Sequence, residues 1–179
     1  MDLPLLDWLN SNTFPEEAKY ENVSYAKAAY TNFVEDLKES PTTRAVIFAT
    51  LHKEATLELM ALLEESGLST MVGKVNMDRN SPDYLTEHSA EASLENTKAW
   101  LREIPKDYRN CRPILTPRFT PTCSDSLLEG LGRLMAEEGL PLQSHLSENK
   151  AEIAWVKELC PDTKNYGESY DRYGLLGNT

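Results

Sequence analysis

The chain has little of what disulfide-built, membrane-spanning or polyphosphate-binding proteins need. Its three cysteines, Cys111, Cys123 and Cys160, are odd in number and show no CxxC spacing. A disulfide framework and a cysteine-rich zinc site are therefore excluded, and a reducing cytoplasm is the default compartment. The longest apolar runs are about five residues, against the roughly 18 or more that span a bilayer, so no membrane partner is expected. The start, MDLPLLDWLN, has no basic segment and carries two early aspartates, so it does not read as a secretory signal. Lys and Arg number 18 against 29 Asp and Glu, a formal charge of −11 at pH 7 with an isoelectric point near 4.8. No basic cluster is present to neutralise phosphates, which argues against a nucleic-acid polymer as partner. With 8 Gly and 10 Pro, collagen-like and low-complexity readings fail as well.

What is present is a change of period, repeated. Its 179 residues suffice for one ordinary domain with a sizeable core, and no internal repeat or Gly/Ser linker marks a boundary. Residues 22–39 read as a helix, with Tyr25, Ala28, Ala29, Phe33 and Leu37 three and four apart. Arg44–Leu51 follows as a short β-rich run. Residues 53–66 are helical again, with Leu59, Leu62 and Leu63 on one side and Gly67 as C′ residue. Met71–Met77 is a second strand, followed by a polar loop, Asp78–Asp83. A helix from Ser89 to Ile104 stops at Pro105. Pro113–Phe119 is a third strand, weakened at its end by Pro117. Ser126–Glu129 reads as a capping box opening a helix that ends near Gly139. Leu140–Leu146 is a fourth strand. Asn149–Glu152 caps a last helix, which halts at Pro161, and the tail 162–179 is left mostly irregular.

Strands alternating with helices of 12–16 residues imply an α/β protein with a parallel sheet. Two architectures fit. A closed four-strand doubly wound sheet suits the length and would hold a ligand at its switch point. A (β/α)8 barrel needs about 250 residues, so this chain would supply only part of one.

Several residues can carry chemistry, each with a plainer alternative. His145 ends the fourth strand, where ligands collect in open α/β folds, and Glu148 stands three residues on. An imidazole and a nearby carboxylate suit a zinc ligand and a proton carrier in metal-assisted hydrolysis. Equally, His145 can be a hydrogen-bonded strand-end histidine and Glu148 an acid favouring a helix N-terminus. Arg118 and Phe119 set a planar donor fork beside an aromatic ring, which suits a flat heteroaromatic. An arginine pairing a nearby acid or capping a helix is as good a reading. His52 and His88 form no HxH or HxxxH pair and read as structural. Gly130-Leu-Gly132 lies inside a helix and is no dinucleotide loop. Ser124-Asp-Ser126 reads as a cap, and Asp78–Asp83 lacks the Gly and Glu of a calcium loop.

Five blocks taken together are more specific. DLPLLDWLN with TFPEE (Asp2–Glu17), TTRAVIFATLH (Thr42–His52), VGKVNMDRNSPDY (Val72–Tyr84), LTPRFTPTCS (Leu115–Ser124) and LQSHLSEN (Leu142–Asn149) resemble, in order, the guanine deaminases of the amidohydrolase superfamily. The resemblance implies a cytoplasmic, homodimeric zinc (β/α)8 hydrolase converting guanine and water to xanthine and ammonia. It implies His145 as metal ligand, Glu148 as the catalytic acid relaying protons to the purine, and Arg118 and Phe119 as the substrate-binding pair. The H-x-E with P-C-x-x-C signature of the other zinc deaminases is missing.

The family's HxH pair, a further His and an Asp find no match in the chain. The expectation is therefore a partial (β/α)8 TIM barrel of the metal-dependent hydrolase type, about strands two to five with their helices. Residues 1–179 would be an internal portion of one barrel domain, with an incomplete zinc site, inactive alone. The alternatives are deamination of another aminopurine or a pterin, and a non-catalytic flavodoxin-like α/β module.

Overall fold

In the computed structural model, which describes residues 5–177, parallel strands lie side by side in chain order. Asp2–Pro4 of the first family-like block, and Asn178 and Thr179 of the tail, lie outside the described residues. The segment before residue 22, to which the sequence assigned no element, is mostly helical. Helix α1 (Leu5–Trp8) runs through a π-helical turn at Leu9–Thr13 into α2 (Phe14–Ala18) and a 3-10 turn. Asn22 then caps α3 (Val23–Glu39), accepting the N–H groups of Ser24 and Tyr25, as a short amide side chain at an N-cap does. The expected helix is present but turned by about one residue. Ala26, Tyr30 and Val34 are its buried stripe, while Tyr25 and Phe33 are 37% and 40% exposed. The two stripes adjoin on the helix surface, and packing of Tyr30 against Tyr20, ring centroids 4.9 Å apart, selects one.

Strand β1 (Arg44–Phe48) pairs in parallel with β2 (Ser69–Gly73), Arg44 opposite Ser69 and Phe48 opposite Gly73. Between them runs α4 (Lys53–Ser66), closed by Gly67 at φ 74° as the left-handed C-cap. The expected second strand is split by Lys74, β3 being Val75–Asn76. Helix α5 (Ala90–Glu103) follows, capped by the Ser89 side chain. The expected third strand is also two pieces. β4 (Cys111–Pro113) pairs with β2, and β5 (Thr116–Pro117) pairs with β3, all in parallel.

Helix α6 (Asp125–Glu138) is capped by Ser124, not by the Ser126 box. Ser124 accepts the Leu127 N–H, that of the third helical residue, and is itself held by Asp78, the geometry of an N-cap. Gly130 and Gly132 sit inside α6 at close approaches. A Cβ there would lie 2.3 Å from a Leu94 methyl and 2.1 Å from the Tyr173 carbonyl. The fourth expected strand is reduced to one parallel bridge, Leu115 with Leu142. Gln143 N–H reaches Leu115 O at 2.9 Å and His145 N–H reaches Arg118 O at 3.1 Å, a slip of one residue. Pro117 and Pro141 have no N–H to donate, so a continuous ladder cannot form.

Asn149 and Glu152 form the expected capping box of α7 (Lys150–Leu159). The described part of the tail is mostly turns and bends, as expected, yet it is packed. It contains α8 (Glu168–Asp171) and buries Tyr166, Ser169, Tyr170 and Leu175 against α6 and α7. Among the described residues the strand order shows no reversal, so they contain no switch point of a doubly wound sheet. Successive helices pack on one another, α3 on α4, α4 on α5 and α5 on α6. One core lies between α3, α4, α5 and the sheet around Leu59, Met60, Val72 and Trp100, and a second surrounds α6. A third seats Leu9 and Phe14 on Val75, Met77 and Leu85, which brings the N-terminal helices onto the ends of the strands.

Candidate active site

The strand ends and the N-terminal helices enclose a cavity of about 210 Å³ lined by Trp8, Leu9, Thr13, Arg118, Phe119, His145 and Glu148. All four residues singled out from the sequence are in this lining, though they lie on two strand ends and a loop. Arg118 and Phe119 follow β5 directly. His145 ends the extended run beside them. Ser147 adopts the left-handed region at φ 57°, uncommon for a residue with a Cβ, and this turn brings the exposed Glu148 back to the cavity.

The tautomer of His145 follows from its partner. Nδ1 lies 2.8 Å from the Arg118 carbonyl oxygen, which can only accept, so Nδ1 is the donor, and in the neutral tautomer that this selects, Nε2 has the lone pair. A ring nitrogen donating to a main-chain carbonyl while the other offers its lone pair is the arrangement of a metal-binding histidine. The imidazole is packed against Phe48, centroids 4.5 Å apart, and against the edge of Phe119 at 6.4 Å. Phe119 is 4% exposed and meets Trp155 on another side, at 6.5 Å.

Of the two readings of Arg118, the structure shows the pairing with an acid. Nη1 donates to both Glu17 carboxylate oxygens at 2.7 and 2.8 Å, and the guanidinium carbon lies 5.0 Å from the Phe14 ring centroid. It thus pairs an acid and also lines the cavity. Glu17 faces a second hollow of about 380 Å³ that shares Trp8 and Thr13 with the first. Trp8, Leu9, Thr13 and Glu17 belong to no catalytic or metal-binding motif of their own. Their one sequence signal was the family-like block Asp2–Glu17, which carried no assigned role.

The residues read as structural stay outside the cavity lining. His52 precedes α4 with Nε2 buried and unpartnered, and burial holds its imidazole below the usual range. His88 is exposed. Cys123 donates its thiol to Asn76 O at 3.2 Å, and burial pushes its pKa up to about 12. Among the described residues no three His, Cys, Asp or Glu are grouped so as to hold a metal ion. The donor set fits one metal ligand, His145, and not a complete site.

Parallel strands in chain order gather a histidine, a carboxylate and an arginine at their ends in an α/β arrangement, and the chain belongs to the amidohydrolase family, whose model matches residues 1–179. Within that family it is similar to guanine deaminases. It is 42% identical over 176 residues to the guanine deaminase of Dictyostelium discoideum, covering 98% of this chain and 39% of that one. The guanine deaminase of C. acetobutylicum, solved with guanine in its active site, superposes with a TM-score of 0.95 at 52% identity, covering 99% of this chain and 42% of that one. An adenosine deaminase from Xanthomonas campestris, solved with bound zinc, shares the fold at a TM-score of 0.75 and 21% identity, covering 98% of this chain and 38% of that one. The chain spans about two fifths of the length of the relatives it matches.

Proposed function

We propose that the chain is part of a zinc-dependent hydrolase that deaminates guanine to xanthine and ammonia, and that its strands are about the second to fifth of a (β/α)8 barrel. One observation carries this reading: Arg118, Phe119, His145 and Glu148 meet in one cavity, at the strand ends where such barrels hold their sites. The 52% identity to a guanine deaminase solved with its substrate gives the ring its name.

In this reading Arg118 and Phe119 hold the purine. Both Glu17 contacts use Nη1, so Nη2 and Nε are not spent on that pair and can donate to acceptors of a flat ring. Phe119 supplies an aromatic wall. Glu148 carries a proton to the amine leaving C2, the group that a hydrolytic deamination must protonate. His145 would hold the metal through Nε2, with ligands from outside these residues completing its shell. Zinc, when bound, supplies Lewis acidity for attack by water.

The test uses the protein expressed with its complete coding sequence. Glu148→Gln should lower kcat by about 10²–10⁴ with zinc content unchanged, and His145→Ala should lower zinc content itself. Normal guanine turnover by Glu148→Gln would reject the proton-carrier role.

A further inference from the structure

Two tyrosines from the tail stand behind the two residues that carry the chemistry. Tyr166 and Tyr170 are stacked, centroids 5.8 Å apart and planes 15° apart, and are 7% and 2% exposed. Neither lines the cavity.

The Tyr170 hydroxyl uses its whole hydrogen-bonding capacity on two main-chain groups of the site and one side chain. It donates to His145 O at 2.7 Å and accepts the Thr120 N–H at 3.0 Å. Ser144 Oγ lies 2.9 Å from it and 3.2 Å from Arg118 O. Arg118 O already accepts from His145 N and from Nδ1, which fills its two lone pairs. The single Ser144 proton therefore goes to Tyr170. One phenol thus joins the strand end bearing Arg118 and Phe119 to the one bearing His145.

Tyr166 does the corresponding thing for Glu148. Its hydroxyl donates to Glu152 Oε1 at 2.6 Å. The other oxygen of Glu152, a carboxylate with no exposure, accepts the N–H groups of Glu148 at 2.7 Å and Asn149 at 3.1 Å. Burial and the neighbouring Tyr170 and Glu152 push the Tyr166 phenol well above its usual range, so it remains a donor. The Glu148 side chain is exposed, and its main-chain anchor is what aims it.

We infer that Tyr170 and Tyr166 are positioning residues, Tyr170 setting the His145 imidazole against the Arg118 strand end and Tyr166, through Glu152, setting Glu148 beside the cavity. This rests on the proposed roles of His145 and Glu148. It predicts a division of labour that a merely structural pair would not show. In the complete protein, Tyr170→Phe keeps the stacked ring and removes the hydroxyl. It should weaken zinc retention against a chelator about 10–100-fold, the cost usual for losing a group that orients a ligand. Tyr166→Phe should leave zinc retention and KM for guanine unchanged and lower kcat about 10-fold or more.

Thermal melts of each variant provide the control. If Tyr170→Phe does not fold, Ser144→Ala, which removes the proton donated to Tyr170, should weaken zinc retention in the same direction. Equal losses of kcat and zinc retention in both variants, tracking the loss of melting temperature, would overturn the inference, as would wild-type behaviour in both. Should the parent protein not deaminate guanine while Tyr170→Phe alone still weakens zinc retention, the reading of the substrate fails and the positioning of His145 stands.

Discussion

Arg118 and Glu17 are joined by one guanidinium nitrogen that reaches both carboxylate oxygens, at 2.7 and 2.8 Å, across 101 residues of sequence. The pair is mostly shielded, with side-chain exposures of 9% and 17%. It ties α2 to the end of β5 and leaves Nη2 and Nε unspent on that pair.

A lysine at this position loses the planar fork, because its three donors share one nitrogen and cannot match Glu17 and a flat ring in two fixed directions. Arg118→Lys should therefore raise KM for guanine by about 10–100-fold, the equivalent of one charged hydrogen bond at roughly 1.5–3 kcal/mol. On the proposed binding role kcat should change less, since a contact made in ground state and transition state alike moves KM alone. An unchanged KM would remove Arg118 from the binding role.

The sequence made most helices legible, because caps and periods are local. Asn22, Gly67, Ser89, Gly139 and the Asn149–Glu152 box all act where their residue types suggest. The strands were legible as apolar runs but not in their lengths. Lys74 and the pair Ile114-Leu115 divide runs that composition alone reads as continuous, and the fourth strand shrinks to a bridge. Arg118, Phe119, His145 and Glu148 could be suspected from their strand-end positions. The opposite wall, Trp8, Leu9 and Thr13, could not, because only tertiary packing brings those helices to the strand ends. Nor could Tyr166 and Tyr170, whose polar tail carries no period.

Lys74 divides the second strand with a fully buried ammonium, 2.8 Å from Glu87, which also holds Ser93 and the Met77 N–H. Burial outweighs the attraction of Glu87 and lowers the Lys74 pKa. Lys74→Met strands Glu87 without its cation and should cost about 3–5 kcal/mol of stability. Lys74→Met with Glu87→Gln should recover part of that loss, since the amide still accepts and carries no charge. Chemical denaturation of both variants measures the difference, and equal stabilities would mean that the pair is not coupled.

Cys123 links stability to alkaline pH. Its folded pKa is about 12, raised by burial from an ordinary value of 9.0. The unfolded thiol loses its proton first, so above about pH 9 the unfolded state binds fewer protons and stability falls with rising pH. The slope from this one thiol is about 1.4 kcal/mol per pH unit until the folded pKa is reached. Cys123→Ser should flatten that part of the curve, because a hydroxyl does not titrate there. Denaturation midpoints between pH 8 and 11 that are as steep in the serine variant as in the parent would assign the loss to other groups.

Strand β1 bears on how this chain behaves alone. Its sequence, RAVIF, is apolar, yet none of its five residues is fully buried and Val46 is 56% exposed. It pairs with β2, and among the described residues it has no second neighbour in the sheet. The run 142–145 is likewise bound to 115–118 on one side. An apolar edge with unpaired N–H and C=O groups is a template for another chain, and each new backbone hydrogen bond adds roughly 0.5–1.5 kcal/mol. The net charge of −11 opposes this association at a distance but satisfies none of those groups. The 179-residue chain produced by itself should therefore self-associate, with a weight-average mass that rises with concentration in sedimentation velocity. Val46→Lys, placing a charge on the exposed edge, should shift it toward monomer. A chain that sediments as a compact monomer at every concentration and melts cooperatively would show that β1 is covered in solution, and the edge would carry no such consequence.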